Sequence, residues 1–281
     1  MNKTFLAVAS TLAIAALPQL AQAQGAAPAA PDAAASAAAP ETPPLTFNIG
    51  AITEYRYRGL SQTRFKPAVQ GGADYAFSSG FYVGTWLSNI KWIHDLEAAT
   101  PGADTGGSVE WDLYGGYKGE ITKDLTFDVG LLEYFYPGNK LGNISGASNA
   151  NTLEVYGALT YGPGTVKLSH SVTTLFGTGG SKNSNYIEAA ATFDVGSGFG
   201  ITPHVGYQQV AGNNAGSSNS QFSYADYSLT GAKDFGNGIV VTLAVVGTHT
   251  KTIAGLPYAY ASPDGKNLGR TGAVLGVKYT F

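Results

Sequence analysis

The sequence predicts an all-β fold: a transmembrane antiparallel up-and-down β-barrel, of twelve strands by our count. Three observations predict it. Apolar and polar residues alternate with period two along most of the chain after residue 45, the periodicity of strands rather than helices. The joins between alternating segments are long and tight by turns. No apolar run after the first twenty residues approaches the roughly 20 residues that a membrane-spanning helix needs, so any span must be built from strands.

The chain opens on Met1-Asn2-Lys3-Thr4, a short basic stretch, followed by a small apolar run from Phe5 to Leu20. Ala21-Gln22-Ala23 then reads as a small-residue cleavage site, so residues 1–23 are expected to be a secretory signal peptide. Residues 24–44 are almost entirely Ala and Pro. They offer no large apolar side chains to bury, and five prolines interrupt any helix, so a disordered linker is expected there. Residues 45–281 then form one domain, the barrel.

Composition agrees. The chain has 38 Gly, 17 Tyr and 13 Phe with only 12% charged residues, against about a quarter in ordinary globular chains. The absence of Cys excludes a disulfide scaffold and any thiolate metal site. A net charge of −3 gives no reason to expect a nucleic-acid partner.

Candidate strands run at 46–58, 67–77, 81–91, 108–118, 124–136, 152–162, 165–176, 184–195, 199–210, 223–235, 239–250 and 271–281. In the first, Phe47, Ile49, Ala51, Thr53, Tyr55 and Tyr57 oppose Asn48, Gly50, Ile52, Glu54, Arg56 and Arg58. In the last, Ala273, Leu275, Val277, Tyr279 and Phe281 oppose Val274, Gly276, Lys278 and Thr280. Odd joins are long: 59–66, 92–107, 137–151, 177–183, 211–222 and 251–270. Even joins such as Ser78-Ser79-Gly80, residues 119–123, Gly162-Pro163-Gly164, Gly196-Ser197-Gly198 and Gly236-Asn237-Gly238 are tight and rich in turn residues. Long loops at one end and short turns at the other are the outer-membrane pattern, and an even strand number puts both termini at the periplasmic end. Two residues misfit the alternation: Glu133 and His170 carry the parity of lipid-facing neighbours, which requires either a bulge or a position beyond the apolar band.

Charges are costly in lipid, so the charged members of the polar face are expected to line the lumen. They are Glu54, Arg56, Arg58, Asp74, Glu110, Asp112, Lys118, Asp128, Glu154, Lys167, Glu188, Asp194, Asp226 and Lys278. Two roles are open to them. They can form a selectivity constriction, or pair across a narrow barrel and plug it; twelve strands lie between the filled and channel-forming cases.

Catalytic patterns do not stand out. His94, His170, His204 and His249 lie on separate segments with no metal-ligand spacing. No cofactor is expected. His170-Ser171 invites comparison with an outer-membrane lipase, but adjacent strand residues face opposite ways.

The segments Tyr55-Arg56-Tyr57-Arg58-Gly59-Leu60-Ser61-Gln62, Lys66-Pro67-Ala68-Val69-Gln70-Gly71-Gly72-Ala73-Asp74-Tyr75 and Gly80-Phe81-Tyr82-Val83-Gly84-Thr85-Trp86-Leu87-Ser88-Asn89 resemble the TorF family of porins. So do Glu110-Trp111-Asp112-Leu113-Tyr114-Gly115-Gly116-Tyr117, Tyr134-Phe135-Tyr136-Pro137-Gly138 and Ser223-Tyr224-Ala225-Asp226-Tyr227-Ser228. The resemblance covers residues 47–281. It implies a proteobacterial outer-membrane barrel with no particular solute. Tyr279 and the final Phe281 resemble the end signal by which the barrel-assembly machinery recognises such proteins. The expected partners are therefore that machinery, outer-membrane lipid, and small hydrophilic solutes or ions. The expected function is passive diffusion through the barrel; the alternative is a closed structural or interaction barrel that acts through its long loops.

Overall fold

The computed structural model describes residues 44–99, 102–252 and 259–281. The expected signal peptide and all but the last residue of the expected linker lie outside the described residues.

Twelve wall strands follow in chain order: β1 (Leu45–Ile52), β2 (Ala68–Ala76), β3 (Phe81–Asn89), β4 (Val109–Thr122), β5 (Leu125–Phe135) and β6 (Thr152–Tyr161). The circuit continues through β7 (Gly164–Ser171), β8 (Asn185–Ala191, continued as Phe193–Gly196), β9 (Phe199–Gln209), β10 (Tyr224–Asp234), β11 (Ile239–His249) and β12 (Gly272–Thr280). Each pairs antiparallel with its neighbours, and β1 closes on β12 with Asn48 opposite Thr280 and Ile52 opposite Gly276. Closure removes the edge that an open sheet would expose. Eleven-residue strands such as β9, β10 and β11, tilted as barrel strands are, reach about 25–30 Å along the axis.

The period-two pattern becomes an inside and an outside. On β10 the inward Tyr224, Asp226, Ser228 and Thr230 are buried, while the outward Tyr227 and Leu229 are exposed. The same division repeats around the wall: Ile49, Val83, Leu131, Leu168, Ile187, Val205, Leu243 and Leu275 all project outward and stay exposed. A continuous apolar exterior is what hydrocarbon demands and water penalises. At the tight-turn rim the exterior becomes aromatic. Phe81 packs on Tyr117 (5.0 Å), Tyr75 on Phe77 (4.7 Å) and Phe47 on Phe281 (5.9 Å), forming the interfacial girdle that barrels carry. Phe47 and Phe281 also exchange backbone hydrogen bonds of 2.8 and 2.9 Å.

Three strand ends differ most from the sequence reading, one of them that of β7, which stops at Ser171 rather than residue 176. The first strand ends at Ile52, not residue 58; the chain beyond turns into the barrel. β4 runs on to Thr122 rather than stopping at 118, with a register shift between Glu120 and Thr122, so the turn to β5 is tighter than expected. Glu133 and His170 need no bulge. Leu113, Glu133 and Leu153 pair in unbroken register, as do Val155, His170 and Asn185. Both residues lie near the loop end of their strands, and His170 Nδ1 pairs with Asn185 Oδ1 at 2.8 Å.

The wall makes a direct prediction. Replacing Leu243, at the middle of β11 and outward, by Arg should cost about 2–4 kcal/mol of stability, read by urea unfolding in lipid vesicles. An unchanged midpoint would mean that this face does not meet lipid.

Candidate functional site

The site is the outer half of the lumen, and its principal occupant is the first outer loop, residues 53–67. A two-rung hairpin forms within it: Arg56 pairs with Ser61 and Tyr57 with Leu60. The two residues at its tip, Arg58 and Gly59, both have positive φ, 45° and 77°, which a type I′ turn requires. Gly59 is needed for a second reason. A Cβ there would meet Thr248 Cγ2 at 2.5 Å and Asp226 Cβ at 2.9 Å, so the tip touches the wall at β10 and β11. Arginine in the left-handed region costs roughly 1–2 kcal/mol, and its side chain shows what offsets that.

Arg58 is fully buried. Its Nη2 donates to Glu154 Oε2 of β6 at 2.7 Å, and its Nη1 to Gln208 Oε1 of β9 at 2.6 Å. The guanidinium lies over the rings of Tyr186 (4.2 Å) and Tyr57 (4.8 Å). A loop between β1 and β2 is thus fastened to the opposite wall. Neighbours add to it: Tyr57 donates to Tyr134 Oη at 2.8 Å, and Tyr55 to Glu110 Oε1 at 2.8 Å. Arg56 pairs with Glu54 at 2.6 Å and donates to the carbonyls of Gly59, Leu268 and Arg270 at 2.9–3.1 Å.

The other outer loops close over this hairpin. Lys91 N donates to Gln62 O (2.8 Å), Ser61 N to Leu268 O (2.9 Å) and Ser148 N to Gly177 O (2.8 Å). A one-turn helix α1 (Trp92–Asp95) brings Asp95 to Arg64, which it binds through both oxygens. On the last loop, hydrogen bonds from Lys266 and Ser262 pull the Asp264 carboxyl down to about 2.

Below the loop, four tyrosines narrow the wall's interior, each laid over a glycine of the adjacent strand. Tyr114 lies over Gly84, Tyr82 over Gly116, Tyr156 over Gly130 and Tyr186 over Gly206; a side chain on any of those glycines would collide with the ring. The phenols reach the acids. Tyr114 donates to Asp74, Tyr82 donates to Asp128 at 2.6 Å and meets the Tyr156 hydroxyl, and Tyr186 donates to Asp226 at 3.0 Å. Lys167 Nζ sits 4.3 Å over the Tyr156 ring. His204 lies between Glu188 (3.0 Å) and Asp226 (3.5 Å). Towards the tight turns the lining includes small, half-buried polar side chains, among them Asn48, Thr126, Thr160 and Thr165.

The charged residues predicted to line the lumen fall into three groups. Glu54, Arg56 and Arg58 sit on the inserted loop rather than on a wall strand. Asp74, Glu110, Asp112, Glu154, Lys167, Asp226 and Lys278 are buried on the inward face, and Lys118, Asp128 and Glu188 are half-buried there. Asp194 departs from them: it is exposed near the tight-turn rim and accepts the Gly196 N–H at 2.8 Å. The register is unbroken across Thr192, with Ala190 opposite His204 and Asp194 opposite Gly200, and Phe193 and Val195 stay outward, so Asp194 keeps the inward parity but lies where the barrel ends. Tyr55 and Tyr57, expected on the lipid face, are buried inside. Tyr186, His204 and Gln208 share the inward parity of Glu188 and were legible by that parity, but uncharged or weakly basic side chains attract less notice.

Ser171 and His170 face opposite ways; Ser171 donates to Thr173 O at 2.7 Å and His170 bonds Asn185. Among the described residues no group of three or more His, Asp or Glu is placed to hold a metal ion.

Fold and lumen together define a transmembrane β-barrel with a polar, loop-constricted interior. The chain belongs to the Gcw_chp family, described as a bacterial protein of unknown function, whose profile matches residues 34–281. No curated protein matches the chain. Among solved structures it is similar to the KdgM porin (7% identity, 84% of this chain and 99% of that one, TM-score 0.49). It is also similar to the NanC porin (8%, 84% and 98%, 0.48) and to OprD of Pseudomonas aeruginosa (14%, 86% and 68%, 0.37).

Breaking the loop's anchor should be costly. Arg58→Ala leaves Glu154 buried without its counterion and should lose about 3–5 kcal/mol, whereas Arg58→Met with Glu154→Leu together should be close to neutral. Chemical unfolding of the refolded barrels checks both; equal losses in the single and double variants would mean that the pair does not hold the loop.

Proposed function

We propose that this chain is an outer-membrane porin-like channel through which ions and small hydrophilic solutes diffuse passively, narrowed by its first outer loop. The observation that carries the reading is the lumen itself. Charged and hydroxyl-bearing side chains line it from the tight-turn rim upward, and a hairpin fastened by Arg58 crosses its outer half. Rings of charge at a constriction select among ions and polar solutes. A barrel that served only as a scaffold would be more stable with an apolar interior, because buried ion pairs seldom repay their desolvation.

The rest of the expectation belongs to the same reading. Residues 1–23 direct export, residues 24–44 link, and residues 45–281 form the barrel with both ends periplasmic. Tyr279 and Phe281 serve recognition by the assembly machinery, and the closer assignment within bacterial barrels is to the TorF family. The constriction is formed by Arg58, Glu154, Lys167, Glu188 and Asp226, with Glu54 and Arg56 near the outer mouth; Asp194, at the rim, is left out of it.

A second reading draws on one feature. The complete burial of Arg58 and the hydrogen-bonded outer loops also suit a closed interaction barrel, in which loops do the work. Planar-bilayer recording of the refolded chain separates the two. The channel reading expects a small steady conductance that rises severalfold when residues 54–65 are replaced by a short Gly-Ser link. A correctly folded barrel that stays silent with and without the loop would overturn it.

A further inference from the structure

Most of the lumen's charges are compensated. Arg56 faces Glu54, Arg58 faces Glu154, and His204 lies between Glu188 and Asp226. Asp128 lies in the field of Lys118 and Lys167, and Asp74 in that of Lys278. Strand β4 breaks the pattern. Its inward residues Glu110 and Asp112 are only 1% and 6% exposed, and among the described residues no basic side chain pairs with either. Glu110 accepts from the Tyr55 hydroxyl at 2.8 Å. Asp112 Oδ1 is buried and receives no hydrogen bond. The charged groups that act on Asp112 are Glu110 and Glu154, both acidic, and Glu154 is already taken by Arg58. Two buried carboxylates without a counterion are too costly to stand as they are.

Their surroundings are aromatic. Trp86 stands opposite Asp112 on β3, and Tyr134 opposite it on β5. Tyr55 packs edge-on to Trp86 at 5.3 Å, and Tyr136 is within electrostatic reach of both acids. Such rings present negative faces to a cation.

We propose that Glu110 and Asp112 form a binding site for a small monovalent cation, walled by Tyr55, Trp86, Tyr134 and Tyr136. The two carboxylates supply the charge, and the unbonded Asp112 Oδ1 supplies the free ligand atom. Among the described residues no third carboxylate or imidazole joins them to hold a multivalent metal. The aromatic walls favour an organic ammonium group over a strongly hydrated alkali ion. The assignment deepens the channel reading, since a cation held here lies on the route through the lumen, but its test does not depend on conduction.

The test is titration of the refolded full chain with methylammonium chloride in detergent, followed by calorimetry and tryptophan fluorescence, with sodium chloride at matched ionic strength as reference. Saturable binding is expected. Glu110→Gln and Asp112→Asn should each weaken it roughly tenfold or more, as removal of a buried charge partner does, while Asp264→Asn on the exposed last loop should not. Retained heat-modifiable gel mobility identifies the variants that fold. Absence of saturable binding, or equal binding by the two carboxylate variants, overturns the proposal. So does an infrared band of protonated carboxyl, lost in those variants, that persists under the titration, since the pair then holds a proton instead. A barrel silent in bilayers that still binds methylammonium through Asp112 keeps the site and discards the channel; a conducting barrel without binding does the reverse.

Discussion

A guanidinium buried in the middle of a β-barrel has to be met by something, and the outer half of this molecule is arranged around meeting that of Arg58. Glu154 arrives from β6, Gln208 from β9, and the faces of Tyr57 and Tyr186 from the loop and from β8. Because those partners lie on the wall across from β1 and β2, the bond sets the position of the whole first loop. Its worth lies in position more than in net stability. Ion pairs of this kind roughly break even against apolar packing, yet each partner is costly to leave alone. Gly59 completes the arrangement, since the tip lies against Thr248 and Asp226 with no room for a side chain.

The glycines of the wall do related work lower down. Setting Tyr82, Tyr114, Tyr156 and Tyr186 over glycines of adjacent strands lets large rings lie flat on the inner wall, an arrangement known to stabilise glycine in sheets. The lumen therefore changes in lining along its axis. Small polar side chains and the Lys118–Asp128 level lie near the tight turns, the tyrosines and most of the acids above, and the hairpin near the long loops. The exterior carries a separate gradient, apolar in the middle and aromatic at the tight-turn rim.

Much of this was legible in the sequence, because the wall obeys one rule. Period two, with long and tight joins in alternation, located all twelve strands and the inward face of each. It misled where the rule had no physical basis. Between Thr53 and Arg58 the alternation continues unbroken, but a loop folded inside a barrel buries both faces, so Tyr55 and Tyr57 turn inward along with Glu54, Arg56 and Arg58. Period two cannot tell a strand from such a loop. Parity also says nothing of depth: Asp194 keeps the inward parity opposite Gly200 but is exposed at the tight-turn rim. The tyrosine-over-glycine pairs, and the lack of a counterion at Glu110 and Asp112, depend on which residues face each other across strands. That register is fixed by the closed ladder and cannot be read along one segment.

The central claim is that the first loop is a packed part of the lumen, held there by Arg58, and hydrogen–deuterium exchange tests it most directly. The amides of Tyr55, Ser61 and Gln62 donate to Thr63 Oγ1, Leu268 O and Tyr55 O. In the refolded parent chain, a peptide spanning residues 53–66 should exchange as slowly as wall strands such as β10. Exchange of that peptide at the rate of an exposed loop, with the wall strands still protected, would contradict the account.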